Sequence, residues 1–193
     1  NVIDDEDTYD TADNFDAYVA NDDVAADIAA GVIRSYYFGD ADDGAMKTGK
    51  QTVEIDGEKY SFKFKTSSST KGSGVVGEDD HKLYNAGKLV EADSDDKYKI
   101  VRYDEATGVS TKMDVDEFLK TVKPHEAIEG EDAYDEDETT WVLSNTDNKD
   151  TDDVLYYLVN TSGSMVKSKS NAKDGEDYKF TVKDYLITRD RKS

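Results

Sequence analysis

Asp56-Gly57 lies between two runs in which apolar and polar residues alternate: Val53 and Ile55 before it, Tyr60, Phe62 and Phe64 after it. An Asp-Gly step in that setting is a strong short-range hairpin signal, because the favoured two-residue turn needs positive φ at both central positions. Period-two alternation places one set of side chains on one face of a strand. The stretch therefore predicts a β-hairpin.

The hairpin belongs to a longer pattern that occurs twice. Tyr36-Tyr37-Phe38 is followed by Gly44-Ala45-Met46-Lys47 and then by Asp56-Gly57-Glu58-Lys59-Tyr60-Ser61-Phe62. Tyr156-Tyr157-Leu158 is followed by Gly163-Ser164-Met165-Val166-Lys167 and then by Asp174-Gly175-Glu176-Asp177-Tyr178-Lys179-Phe180. A weaker third copy reads Lys82-Leu83-Tyr84, then Gly87-Lys88-Leu89. Between Phe38 and Met46 the residues favour Asx and left-handed turns. One hairpin is marginal alone in water. Several that bury their aromatic faces together, as in a solenoid, are not. The fold class expected is mainly β, built of stacked hairpin repeats with one or two short inserted helices.

Residues 13–30 read as helix, with Phe15, Tyr18 and Val19 on one face, Val24 and Ile28 recurring, and Gly31 as a C-terminal stop. Residues 114–123 do so too: Asp114 can cap, Glu117 follows three later, Val115, Phe118, Leu119 and Val122 form a stripe, and Pro124 ends it. Residues 126–140 are strongly acidic and read as a solvated loop. The domain reading is a helical, acidic segment at 1–31, a first hairpin block at 32–103, a connector at 104–140 and a second block at 141–193.

Charge narrows the function. With 45 acidic and 24 basic side chains, the 193 residues carry a net charge of −21. A phosphate-backbone binder needs a basic face, which argues against nucleic acid as partner. The same holds for an anionic membrane surface. No apolar run is long enough for membrane insertion as a spanning helix. Without cysteine there is no disulfide framework and no thiolate nucleophile. High charge with few aromatics would suggest disorder, but 13 Tyr and 6 Phe suggest short strands joined by acidic turns. A start at Asn1 without an apolar leader reads as a mature or excised portion.

The repeated order resembles the cell-wall-binding repeats of Gram-positive surface proteins, the choline-binding and glucan-binding family, in a divergent Asp-rich version. The resemblance rests on Tyr36-Tyr37-Phe38, Gly44-Ala45-Met46-Lys47-Thr48-Gly49 and Ile55-Asp56-Gly57, and more loosely on Tyr156-Tyr157, Gly163-Ser164-Met165 and Asp174-Gly175. It covers about half the chain. It implies a non-catalytic, extracellular attachment module that binds teichoic acid, peptidoglycan or glucan, with no cofactor, as part of a larger secreted or surface protein. Its aromatic cages suit quaternary ammonium through cation–π attraction. Candidate ligand-binding residues are Tyr36, Tyr37, Met46, Tyr60, Tyr84, Trp141, Tyr156, Tyr157, Met165 and Tyr178. Ser35 and Leu155 stand where a tryptophan usually precedes the tyrosine pair, and Lys50 where one usually follows Thr-Gly. These departures motivate an alternative, a structural spacer or protein-interaction domain. At every named aromatic, packing into a hairpin core competes with ligand contact, since Tyr and Phe bury large areas.

Other motifs carry less. Gly72-Ser73-Gly74-Val75-Val76-Gly77 matches G-x-G-x-x-G by letters, but Thr66 to Thr70 is no strand signal and Glu78-Asp79-Asp80 no helix signal. Acidic clusters at Asp40, Asp42 and Asp43, at Asp93, Asp95 and Asp96, and at Asp147, Asp150, Asp152 and Asp153 miss the EF-hand spacing, so no metal site is assigned. His81 and His125 stand in polar stretches and read as surface residues. With so many acids, carboxylate pairs carry no glycosidase signal.

Overall fold

The computed structural model describes residues 11–39, 44–121, 140–142, 154–173 and 179–191, and of Trp141 only the backbone. These residues are mainly β, as the alternation predicts, with three antiparallel sheets and three short helices. No described helix is long and apolar enough to cross a membrane. Contacts divide the chain into two compact units, Asn1–Leu89 with Ala106–Ser110, and Val90–Glu105 with Thr111–Ser193.

In the first unit, the helix expected over 13–30 is two helices, α1 (Ala12–Val19) and α2 (Asp22–Ala29). The break has a local cause. The Asn21 side chain accepts hydrogen bonds from the backbone N–H groups of Asp23 and Val24, at 3.2 and 3.4 Å, and so caps a new helix. Thr11 caps the first, accepting from Asn14 N at 3.1 Å. Gly31 stops α2 as expected. Its φ is +70°, its N–H reaches the Ile28 carbonyl, and Val32 N–H reaches that of Asp27, the paired bonds of a Schellman motif. Val19, Ala25 and Ile28 are buried with Ala86 and Val109.

The sheet of this unit has the order β1-β2-β5-β4-β3, from β1 (Gly49–Ile55), β2 (Glu58–Phe64), β3 (Gly77–Asp79), β4 (Lys82–Asn85) and β5 (Lys88–Leu89). β1 and β2 form the hairpin read from Asp56-Gly57, with Ile55 opposite Glu58 and φ of +51° and +79° at the turn. The weak third copy is the β4–β5 hairpin, turning at Ala86-Gly87. The hairpins share hydrogen-bonded sheets within the unit instead of standing as separate rungs. Asn85 ties residues 106–110 to the sheet: its amide donates to the Ser110 carbonyl at 2.7 Å and its side-chain oxygen accepts Ser110 N–H at 2.8 Å.

The second unit contains two sheets, β7-β6-β9 and β10-β11-β12-β8. Their strands are β6 (Tyr98–Asp104), β7 (Ser110–Met113), β8 (Thr140–Val142), β9 (Val154–Asn160), β10 (Lys169–Lys173), β11 (Lys179–Lys183) and β12 (Leu186–Arg191), with α3 (Val115–Thr121) between β7 and β8. The units cut across the blocks read from sequence. β6, placed in the 32–103 block, pairs along its whole length with β9 of the 141–193 block. One core joins both sheets and the helix: Ile100, Phe118, Tyr156, Leu158, Phe180, Val182 and Ile187. The Phe118 ring meets Tyr156 edge-on at 5.3 Å. Each such side chain contributes about 1.5–3 kcal/mol on full burial. The helix expected over 114–123 is α3. Phe118 is its buried stripe residue, and the Asp114 carboxylate, expected to cap, receives Lys99 Nζ at 2.8 Å. Residues 122–139, with the acidic loop, and the Asp174-Gly175 step lie outside the described residues.

Candidate functional site

Residues 32–38 of the first unit alternate between exposed and half-buried, the pattern of an extended segment. The inward residues anchor it. The Ser35 carbonyl accepts Gly74 N–H at 3.0 Å, and the Ser35 hydroxyl donates to the Ala86 carbonyl. The Tyr37 carbonyl accepts Lys47 N–H at 2.7 Å, so the chain returns beside it as the turn residues predict. The Tyr37 ring stacks on Phe64 at 6.2 Å, Phe64 on Phe62 at 5.9 Å, and Phe15 meets Phe62 edge-on at 5.9 Å. This aromatic ladder fixes Tyr37 and leaves the other set of side chains pointing out.

That outward set is Val32, Arg34, Tyr36 and Phe38, three apolar side chains and one guanidinium. Val32 is 70% exposed, Tyr36 44%, Phe38 52% and Met46 41%, and these are the large exposed hydrophobic residues among those described. Met46 lies across Gly72, where a side chain of any size would displace its sulfur. At Gly74 an added Cβ would collide with Ser35 and with the Ala86 carbonyl. The glycines of the G-x-G-x-x-G run thus allow two close approaches of chain, and no helix follows them.

The second copy of the motif is arranged differently. Tyr156 and Leu158, equivalent to Tyr36 and Phe38, are fully buried on β9. Val166 N–H reaches the Leu158 carbonyl, whereas Lys47 N–H reaches that of Tyr37, one position earlier in the motif. A one-residue change of register turns every side chain to the other face. Tyr157 is half-buried, its ring 6.0 Å from Tyr103, and Met165 pairs with Val159 as a half-buried bridge residue.

The remaining candidates are scattered. Tyr84 is buried on β4, with Lys63 Nζ 5.7 Å from its ring centre. Burial raises its phenol pKa. Tyr60 is half-buried on β2 and donates its hydroxyl to Glu58 at 2.7 Å, a bond that pushes its pKa up to about 12. Lys88 Nζ stands 4.7 Å over its ring. Each of these rings therefore already has a lysine of the chain over it. Trp141 is opposite Asp190 in the β8–β12 ladder, and Tyr178 lies outside the described residues. Of the ten candidates, Tyr36, Tyr37 and Met46 lie in this segment and in the chain returning beside it, with Tyr37 facing inward. Sequence reasoning missed Phe38 and Val32 as members of the face, although their even spacing with Tyr36 was visible.

Of the three positions where the sequence departs from the repeat pattern it resembles, Ser35 is half-buried under the segment, Lys50 is exposed on β1 and Leu155 is half-buried on β9. Asp93 is taken by Lys112 Nζ at 2.7 Å, and Asp96 lies 3.7 Å from Lys99 Nζ. Among the described residues no three His, Asp or Glu side chains gather as a metal centre. His81 is exposed in a turn, its backbone N–H held by Glu78 at 2.7 Å. Comparison of the chain with protein-family models, curated proteins and solved structures finds no match.

Proposed function

We propose that this chain is a non-catalytic extracellular attachment module, and that its first unit binds cell-wall polysaccharide through the face of Tyr36, Phe38 and Met46. One observation carries the reading. The same motif occurs twice, and Tyr156 and Leu158 of one copy are buried as core while Tyr36 and Phe38 of the other are about half exposed. Tyr156 and Leu158 of the buried copy are core residues of the second unit. Exposed Tyr and Phe rings suit the apolar faces of sugar rings, and Met adapts to an irregular ligand surface.

A pull-down with purified Gram-positive cell walls, with and without excess choline, tests this. Binding of the chain and its loss in Tyr36→Ser/Phe38→Ser/Met46→Ser are expected. An unchanged circular dichroism spectrum checks that the variant keeps the fold. Competition by choline would make the ligand a quaternary ammonium group, and no effect of choline would make it the glycan. Equal binding by the triple variant would overturn the assignment. The alternative of a structural spacer or protein-interaction domain is favoured by the burial of Tyr156 and Leu158, and absence of wall binding by the full chain would select it.

A further inference from the structure

In the second unit a cavity of about 170 Å³ opens beside β6, β7 and the start of α3. Asp96, Lys99 and Asp114, whose side chains reach solvent, form its rim, and the buried Tyr98, Ile100, Met113 and Phe180 form its floor, with Val115 beside them. A water needs about 10–15 Å³ of space of this kind, so the cavity has room for a small substituent.

The rim is already ordered. Lys99 Nζ lies 2.8 Å from Asp114 Oδ1 and 3.7 Å from Asp96 Oδ2. Burial works to lower the Lys99 pKa, but the hydrogen bond and charge of Asp114 outweigh it and keep the ammonium protonated. An ammonium has three donors, and Asp114 takes one of them by a hydrogen bond while Asp96 stands at ion-pair distance. Asp114, 82% exposed at its side chain, keeps lone pairs free to accept. A donor and an acceptor thus stand side by side over a floor of sulfur, aliphatic and aromatic carbon.

We infer that this cavity is a binding site for the acetamido group of an N-acetylated amino sugar. A secondary amide supplies one acceptor for Lys99, one donor for Asp114 and a methyl group for the floor at Met113 and Phe180. A sugar bearing hydroxyls alone has no methyl for that floor, and a plain hydrocarbon leaves the rim unanswered. Choice of a sugar as carrier rests on the attachment reading above, but the site lies in the other unit and uses none of the same residues.

The three methionines make the test selective, since Met46 reports the exposed face, Met113 the cavity and Met165 neither. Full-length protein with isotope-labelled methionine methyl groups is titrated with N-acetylglucosamine, glucose and free alanine. The expected result is that the Met113 methyl signal shifts with N-acetylglucosamine and not with glucose or alanine. In Asp114→Ala the affinity falls about tenfold, the loss of one charge-assisted hydrogen bond, while an unchanged Met165 signal shows that the fold persists. A Met113 signal that stays still, or moves equally with glucose, overturns the proposal. A shift with alanine alone makes the site one for zwitterionic amino acids and also overturns it. Movement of Met46 without Met113 sinks the cavity and leaves the aromatic face standing.

Discussion

Lys88 is the least ordinary single residue of the first unit. Its ammonium is buried on β5, 2.6 Å from Asp16 Oδ2 and 4.7 Å from the centre of the Tyr60 ring. Asp16 on α1 is the more exposed partner. The two substitutions that break this pair should therefore be unequal. Asp16→Ala leaves a buried ammonium with only an aromatic face, at a cost of about 2 kcal/mol. Lys88→Met removes the charge, keeps the volume and lets Asp16 turn to water, so it should cost under about 1 kcal/mol. Urea denaturation of both variants gives the order, and a greater loss for Lys88→Met would mean that the pair is not a desolvated one. Nothing local in the sequence announces this contact, because 72 residues separate its members. The same is true of Asn85 and Ser110. Residues whose role is set by their own backbone, Gly31 and Gly57, were legible, since a positive φ is a property of the chain at that point.

Among the elements, hairpin turns decide the sheet of the first unit. Asp56-Gly57, Asp80-His81 and Ala86-Gly87 all have positive φ at both central residues, and so does Asp184-Tyr185 in the second unit. Only the turns that contain glycine carry a sequence signal, which is why the β3–β4 and β11–β12 hairpins escaped notice. The difference is measurable. Gly57→Ala should cost about 1–2 kcal/mol, the penalty for a Cβ in left-handed backbone. His81→Gly removes the same penalty and incurs the extra unfolded-chain entropy of glycine, for a net gain of about 0.5–1 kcal/mol. Denaturation midpoints of the two variants should move in opposite directions, and a His81→Gly protein no more stable than the parent would show that the contacts of the imidazole, whose Nδ1 stands 3.8 Å from Glu78 Oε1, outweigh the strain relieved. The helices follow the same division. Their apolar faces were legible, while the break at Asn21 was not, because an uninterrupted periodic stripe hides a cap that competes with the next turn.

For the whole molecule, the duplicated motif and the charge act together. The motif was legible as a repeat of order, but not the one-residue change that exposes Tyr36 and buries Tyr156, since that depends on which backbone groups pair. The long pairing of β6 with β9, from Tyr98 opposite Asn160 to Asp104 opposite Val154, spans the acidic stretch that the sequence reading takes as the divide between two blocks. A net charge of −21 means that the folded chain repels itself and repels wall phosphate. Attachment through aromatic rings gains nothing from that charge and must overcome it. Screening lengths fall from about 30 Å at 0.01 M salt to about 8 Å at 0.15 M. Binding to cell walls should therefore strengthen as salt is raised over that range, and the thermal midpoint should rise with it. A protein held by contacts to phosphate does the reverse, losing affinity steeply as counterions compete. Sedimentation with walls at the two salt concentrations separates the cases: tighter binding at high salt supports apolar contact through Tyr36, Phe38 and Met46, whereas release by salt would place the attachment on the lysines instead.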